Sequence, residues 1–232
     1  MDEYAKYLLA DQRSSDRVKR DQAEAAIRHI GTNALPTLLS MVRAKDSALR
    51  KRLIALANKQ SVFRLRLRRA EYFHAKATYG FGALGPAAKP AVPALTRLLH
   101  DQDEEVRAGA AQCLSLIGTD AKDAVPALIG VLNEEGNGYG PVLLNSMLAL
   151  GALHSEPEVV VPLLVEYLNG SRKDWNYGAP AMDALARYRE KAKPAVPAIL
   201  PFLNDPDESH RSSADAALCA IDPQAAAQAR KK

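Results

Sequence analysis

Lys89-Pro90-Ala91-Val92-Pro93-Ala94-Leu95 is a seven-residue phrase that returns, in close variants, along the rest of the chain. The copies read Asp123-Ala124-Val125-Pro126-Ala127-Leu128, Val160-Val161-Pro162-Leu163-Leu164 and Lys193-Pro194-Ala195-Val196-Pro197-Ala198-Ile199. The second proline of the phrase and its counterparts are spaced 33, 36 and 35 residues apart. A period of this size is typical of helical repeat proteins, in which each unit buries its apolar face against its neighbours.

Each repeat predicts two helices joined by a short turn. In the first copy, Pro90 and Pro93 are expected in the first turn of the first helix, where backbone amides lack intrahelical acceptors. After the turn, Asp103 is expected to cap the second helix. Apolar residues then recur at helical spacing, with Leu114 expected in the core, until Gly118 ends the helix.

The repeats predict an all-α fold, a right-handed α-solenoid of about six antiparallel helix pairs. We expect a single repeat domain over residues 1–232, with regular repeats from about 76 to 228. The N-terminal units are irregular and carry a basic insertion at about 50–75. Apolar residues make up 47% of the chain and aromatic residues only 6%, so Ala, Leu, Val and Ile must form most of the core.

The repeat resembles HEAT repeats, which combine a first-helix proline with a turn aspartate and an arginine six residues later. Asp101 with Arg107 and Asp205 with Arg211 fit that pattern, and we expect both pairs to be structural. Residues 82–93 are especially similar to the short bacterial HEAT-like repeats named after phycobilin lyases. The resemblance implies second helices that line a concave face and Asp–Arg pairs that stack along the array. Two repeats depart from the pattern, because Asn133 and Asn169 stand where the aspartate is expected.

The chain lacks the common sequence motifs of catalysis. There is no phosphate-binding loop, no His-Glu-x-x-His and no Cys-x-x-Cys, and the five histidines are scattered without the spacing of metal ligands. We therefore expect no enzyme, no cofactor and no metal, but a scaffold for interactions with another protein. The scaffold is expected to act alone or as a module of a larger protein. The phycobilin-lyase resemblance also implies a weaker alternative, a factor that attaches bilin chromophores.

A basic cluster in the N-terminal third suggests another class of partner. Residues 1–76 carry 17 Lys or Arg and 8 Asp or Glu, whereas residues 77–232 carry 14 and 19. Arg64, Arg66, Arg68 and Arg69 are the candidate anion-binding residues, for nucleic acid or for an acidic protein. The alternative is a solvated helix face whose arginine stems cover apolar neighbours.

Two turns between helices are enlarged and aromatic. They carry Tyr139 in one repeat and Trp175 with Tyr177 in the next, and the tyrosines lie 38 residues apart. Because that distance is about one repeat, these side chains are expected on the same edge. Aromatic residues are common anchors in protein interfaces, so they are the partner-binding candidates. The alternative is that they fill gaps where the turns lose their regular form.

Two cysteines and the chain's apolar segments bear on its location. Cys113 and Cys219 fall in different repeats, too far apart to form a disulfide, and both are expected to be buried free thiols. The N-terminus lacks the pattern of a signal peptide, and no apolar run is long enough to span a membrane. These features favour the cytoplasm, unless the chain is part of a larger protein.

Overall fold

The computed structural model describes residues 17–47, 49, 52, 69–134, 140–169 and 177–230. These residues form α-helices, short 3₁₀ helices and turns, with no strand among them. The predicted all-α fold of the α-solenoid class is confirmed. The chain divides into two compact units, 1–117 and 118–232. The prediction of one continuous repeat domain remains a prediction.

The first unit contains five described α-helices in up-and-down succession. Two 3₁₀ segments, Gly31–Ala34 and Gly85–Ala91, lead directly into α-helices. The second helices α3 and α5 pack side by side, and α3 also packs on α2. The helices are α1 (Arg17–Ile30), α2 (Leu35–Val42), α3 (Ala70–Leu84), α4 (Val92–Leu98) and α5 (Glu104–Ile117).

The second unit contains seven described α-helices with the same alternation. Helix α9 packs against both α7 and α11. The 3₁₀ segments are Gly118–Ala124, Arg189–Ala195 and Leu200–Asn204. The helices are α6 (Val125–Asn133), α7 (Pro141–Leu153), α8 (Pro157–Leu168), α9 (Gly178–Tyr188), α10 (Val196–Ile199), α11 (Glu208–Ile221) and α12 (Pro223–Ala229).

The proline phrase spans two kinds of helix, which corrects the sequence prediction. Pro90 lies within a 3₁₀ segment, and only Pro93 lies in the first turn of α4. Gly85, at the start of this segment, has φ +51°, and Gly118 in the next repeat has φ +72°. A left-handed φ is the conformation glycine accepts without steric cost. Each second helix of this kind therefore ends at glycine, and a tight turn redirects the chain into the next first helix.

One repeat does not follow this scheme. Between α7 and α8, His154 and Glu156 take left-handed conformations, with φ of +52° and +50°, and no 3₁₀ segment follows. Helix α8 therefore begins early, at Pro157. As a result, Pro162 lies in the interior of α8 rather than in its first turn, as its place in the repeat predicts. Its exposed side chain lies at the surface of the helix.

The core is built from small and branched apolar residues of facing helices. The predicted core residue Leu114 is fully buried, with 0% of its surface exposed, which confirms the periodicity assigned to α5. In the second unit α7 and α9 approach closely: a Cβ added at Gly151 would lie 2.9 Å from the Ala184 Cα. Only glycine fits there without displacing backbone, so this contact brings two second helices to short distance.

Candidate functional site

The turn before α5 is held by hydrogen bonds from side chain to backbone. The Asp101 Oδ1 atom accepts from the Asp103 amide at 2.9 Å, and Arg107 Nη1 donates to the Asp101 carbonyl at 2.8 Å. Asp103 Oδ1 accepts from the Glu105 amide at 3.0 Å, which confirms Asp103 as the cap of the helix. The arginine thus clamps the turn through a carbonyl oxygen, not through the carboxylate of its aspartate.

The turn before α11 has the same geometry. Asp205 Oδ1 accepts from the Asp207 amide at 2.9 Å, and Arg211 Nη1 donates to the carbonyls of Asp205 and Pro206 at 2.7 and 2.8 Å. The two Asp–Arg pairs that the sequence singled out therefore occupy the same place in two repeats. In both, the pair supports the turn between the helices.

Asp101 is also the acceptor of an ion pair. Lys45 Nζ lies 2.6 Å from Asp101 Oδ1. Partial burial raises the pKa of Asp101, but the hydrogen bonds from Lys45 and the Asp103 amide and the charges of Lys45 and Arg107 outweigh it. The pKa is therefore held below its usual value, and the carboxylate is charged at neutral pH.

An open cleft of about 470 Å³ lies beside this turn. It is lined by one arginine and five carboxylates: Arg69, Asp46, Glu71, Asp103, Glu104 and Glu105. The Asp46 Oδ2 atom accepts from the Ala70 amide at 3.1 Å, at the start of α3. Glu71 lies in the first turn of α3, and Glu104 and Glu105 lie in the first turn of α5.

The position of these carboxylates has a structural explanation. The amino-terminal end of a helix carries partial positive charge and free amide hydrogens, both of which favour acidic residues. The cleft is therefore a place where two helix starts meet. Arg69 lines the same cleft as these carboxylates. It is exposed and is the one candidate anion-binding arginine among the described residues. A polyanion at Arg69 would meet several carboxylates.

Of the other candidate binding residues, one is buried and the rest lie outside the described residues. Tyr177 is only 3% exposed, and its ring packs edge to face on Tyr167 with the centroids 5.7 Å apart. It lies just before α9, so the tyrosine fills space inside the second unit and does not present its ring to a partner. The remaining candidates, Arg64, Arg66, Arg68, Tyr139 and Trp175, lie outside the described residues.

The structure adds a basic cluster that sequence reasoning missed. The positive charges of Arg187, Arg189 and Lys191 lower the pKa of His154, which directly follows α7 in the preceding repeat. The available signal was the alternation of basic residues from 187 to 193. It was hidden because the sequence half that contains it is acidic overall.

The cysteine prediction is half right. Cys113 is buried, and burial raises the pKa of its thiol, whereas Cys219 is exposed. The Cys219 Sγ atom lies 3.2 Å from Arg230 Nη2. Within the described ranges, no three His, Cys, Asp or Glu side chains are grouped as a metal site, and no helix is long and apolar enough to cross a membrane.

Comparison with known proteins finds a family model that matches part of the chain. Residues 67–140 match the family model of HEAT repeats, with no indication of the phycobilin-lyase type. An engineered protein solved by the Northeast Structural Genomics Consortium is similar in fold, with 16% identity over 96% of this chain and 100% of that chain and a TM-score of 0.51. A designed armadillo repeat protein covers 94% of this chain and 98% of its own, with 18% identity and a TM-score of 0.46. No curated protein matches the sequence.

Proposed function

Since residues 67–140 match the family model of HEAT repeats, we propose that the protein is a non-catalytic scaffold that binds another protein. The observation that carries the proposal is the two-sided character of the second helices. On α5, Val106, Leu114 and Ile117 are buried, while Gln112 and Leu116 are exposed on the opposite side. The apolar residues of such a helix thus pack in the core of the repeat array, and the opposite side of the helix remains exposed for contact with a partner.

The rigidity of the turns supports the same proposal. The clamp formed by Asp101 and Arg107 recurs at Asp205 and Arg211, so the edges of the repeats are held by repeated hydrogen bonds. A preorganised surface binds with a smaller loss of conformational entropy than a surface that must first become ordered. A repeat array with clamped turns is therefore suited to binding and needs no catalytic group.

The specific contact is proposed at the enlarged turns, through Tyr139 and Trp175. Both turns depart from the regular aspartate-containing form, and departures from a repeat are where an array acquires specificity. Aromatic side chains also lose little conformational entropy on binding. Tyr177 is assigned a supporting role inside the second unit, since its ring is buried.

Affinity capture followed by a titration tests this function. The full chain is immobilised, bound proteins are identified by mass spectrometry, and the dissociation constant of the enriched partner is measured by titration calorimetry. Trp175→Ala should weaken binding about tenfold or more, as expected for an aromatic anchor. Val159→Ala, a truncation of a side chain that is 50% exposed in α8, is the matched control and should bind as the wild type does.

Three results would contradict the proposal. The first is that no protein is enriched by the wild-type chain, and the second is that nucleic acid is retained instead. The third is that Trp175→Ala unfolds the repeats, as judged by circular dichroism, which would make Trp175 a core residue. The carboxylates around Arg69 favour protein over nucleic acid at that point of the surface. No observation on the described residues favours the bilin alternative.

A further inference from the structure

The end of α9 carries exposed positive charge that is not paired. Arg187 lies in the last turn of α9, and Arg189 and Lys191 follow it in the 3₁₀ segment; all three side chains are exposed. Within the parts of the chain that the structure describes, none of the three side chains donates a hydrogen bond or forms an ion pair. Cations in the last turn of a helix are favoured by its dipole, which accounts for Arg187. It does not account for Arg189 and Lys191, which lie beyond the helix.

Packing between α7 and α9 places the end of α9 beside the end of α7. The Tyr188 hydroxyl oxygen lies 2.9 Å from the carbonyl oxygens of both Leu150 and Ser155, which share its single hydrogen as acceptors. The His154 ring lies edge to face with Tyr188, with the centroids 6.0 Å apart. The stem of Arg187 lies against Gly151: a Cβ added there would be 3.1 Å from the arginine Cδ. The end of α9 is thus fixed onto the end of α7.

The same three cations affect the pKa of His154. Partial burial lowers it, and the charges of Arg187, Arg189 and Lys191 lower it further. This effect of the three charges agrees with the placement of the end of α9 beside the end of α7. A bound anion would reverse that effect, because it would screen the three cations from the ring.

The backbone at Arg189 is unusual for an arginine. Its φ and ψ are +51° and −133°, nearly the values of Gly85, +51° and −128°, at the corresponding place in an earlier repeat. This region of conformational space strongly favours glycine, because a Cβ atom clashes with the backbone. Arg189 thus occupies a position of the repeat whose backbone conformation favours glycine.

The surroundings decide what kind of anion this cluster fits. Residues 118–232 carry 11 Lys or Arg and 15 Asp or Glu, so the cluster is a basic spot in an acidic part of the chain. Glu156 is near enough to raise the pKa of Tyr188, after the larger effect of burial. A short acidic segment is complementary in charge to the three cations, whereas a longer polyanion such as nucleic acid is repelled by the net negative charge of residues 118–232.

We propose that His154, Arg187, Arg189 and Lys191 form a docking surface for an acidic segment of a partner protein, a short run of Asp and Glu side chains. The proposal rests on the proposed scaffold function and gives the chemistry of one partner contact. The cluster supplies three fixed positive charges, and the histidine adds a donor whose charge depends on what is bound.

Fluorescence anisotropy with a labelled acidic peptide of alternating Asp and Gly tests the proposal on the full chain at low ionic strength. Replacing Arg187, Arg189 and Lys191 together by Gln should weaken binding about tenfold, since each exposed ion pair contributes a small factor. The control replaces Arg43, Arg97 and Lys122 by Gln, three exposed and scattered cations, which changes the net charge equally. Equal weakening by both triple variants would overturn the proposal.

A single variant separates binding from a structural role. Arg189→Gly removes one charge of the cluster and also relieves the backbone at that position. It should raise the melting temperature while weakening peptide binding, a combination that loss of structure cannot produce. Peptide binding by Arg189→Gly at wild-type strength would contradict the proposal.

The remaining outcomes distinguish this inference from the scaffold function. If the wild-type chain does not bind the acidic peptide, or if single-stranded DNA binds more tightly and responds more to the triple variant, the docking surface for acidic protein is wrong. If at the same time the protein partner is still captured through Trp175, the scaffold function stands and only this inference fails.

Discussion

Arg189 shows most clearly how a single residue departs from the repeat. At the corresponding position Gly85 has the same backbone conformation without steric cost, while an arginine there costs about 1–3 kcal/mol. We expect Arg189→Gly to raise the free energy of unfolding by only about 1 kcal/mol, because glycine also gains freedom in the unfolded chain. Gly85→Ala is the mirror control and should lower it. Urea denaturation measures both, and a loss of stability in Arg189→Gly would show that the arginine has a structural partner.

Ser146 is a second departure from the repeat. Its hydroxyl is fully buried in α7 and has no hydrogen-bond partner among the described residues. The corresponding positions of other second helices carry buried alanines, Ala110 and Ala181. An unsatisfied buried hydroxyl costs about 1–3 kcal/mol, so Ser146→Ala should be more stable than the wild type. Ala110→Ser is the reciprocal test and should be less stable in thermal unfolding; if Ser146→Ala is destabilised, the hydroxyl has a partner.

His154 makes stability depend on pH. Its pKa is lowered by partial burial and then by Arg187, Arg189 and Lys191. The unfolded histidine titrates at about 6.5, so on acidification the unfolded chain takes up this proton first. The stability present above that pH is therefore lost as the pH falls through the lowered value of the native protein.

Comparing the wild type with His154→Gln isolates the contribution of His154 to the pH dependence of stability. Between about pH 7.5 and pH 5.5, the urea midpoint of the wild type should fall more than that of His154→Gln. The difference should be small, because the imidazole is exposed to solvent. His29→Gln, at an exposed histidine in the first unit, controls for the loss of a histidine. An equal fall in wild type and His154→Gln would contradict the assignment.

At the scale of elements, the turn clamps give the repeats their regular form. Arg107 donates to the carbonyls of Asp101 and Gln102, and Arg211 does the same in its own turn. Arg107→Gln should lower the free energy of unfolding by about 1–2 kcal/mol, since two carbonyl oxygens lose a charged donor. Asp101→Asn should cost less, because an amide oxygen can still accept from the Asp103 amide. Fluorescence-detected urea unfolding distinguishes the two, and an equal cost would mean that the arginine acts on the carboxylate after all.

Much of this element structure could be predicted from the sequence, because caps and core positions have local causes. Asp103 as a cap and Leu114 as a core residue follow from side-chain chemistry and from helical periodicity, and both are confirmed. The 3₁₀ character of the segment around Pro90 was missed, since proline is compatible with the start of either kind of helix.

What could not be predicted depends on contacts between elements. The burial of Tyr177 results from Tyr167, which precedes it by ten residues and belongs to another helix. The placement of the end of α9 beside His154 results from the packing of α9 on α7. The alternation of basic residues from 187 to 193 was the available signal, but neither a spacing nor a motif marks Tyr167 or His154 as the neighbour, so the candidate site was less predictable than the fold.

At the scale of the whole molecule, the two compact units share one repeat plan but differ in their surfaces. The first unit presents an acidic cleft where two helix starts meet, and the second presents a basic cluster where two helix ends meet. The direction of the helices accounts for the acidic cleft and for Arg187, since acidic residues favour helix starts and basic residues favour helix ends, but not for Arg189 and Lys191, which lie beyond α9. A scaffold of this kind offers partners of opposite charge at different repeats.

Hydrogen exchange of the full chain, with and without the protein partner identified by affinity capture, tests whether this repeat protein is a protein-binding scaffold. We predict slower exchange on binding at residues 154–155 and 187–193, with the buried backbone of α5 unchanged. If no protein binds at all, the proposed scaffold is contradicted. If a partner binds but leaves exchange in those segments unaltered, the docking surface is contradicted.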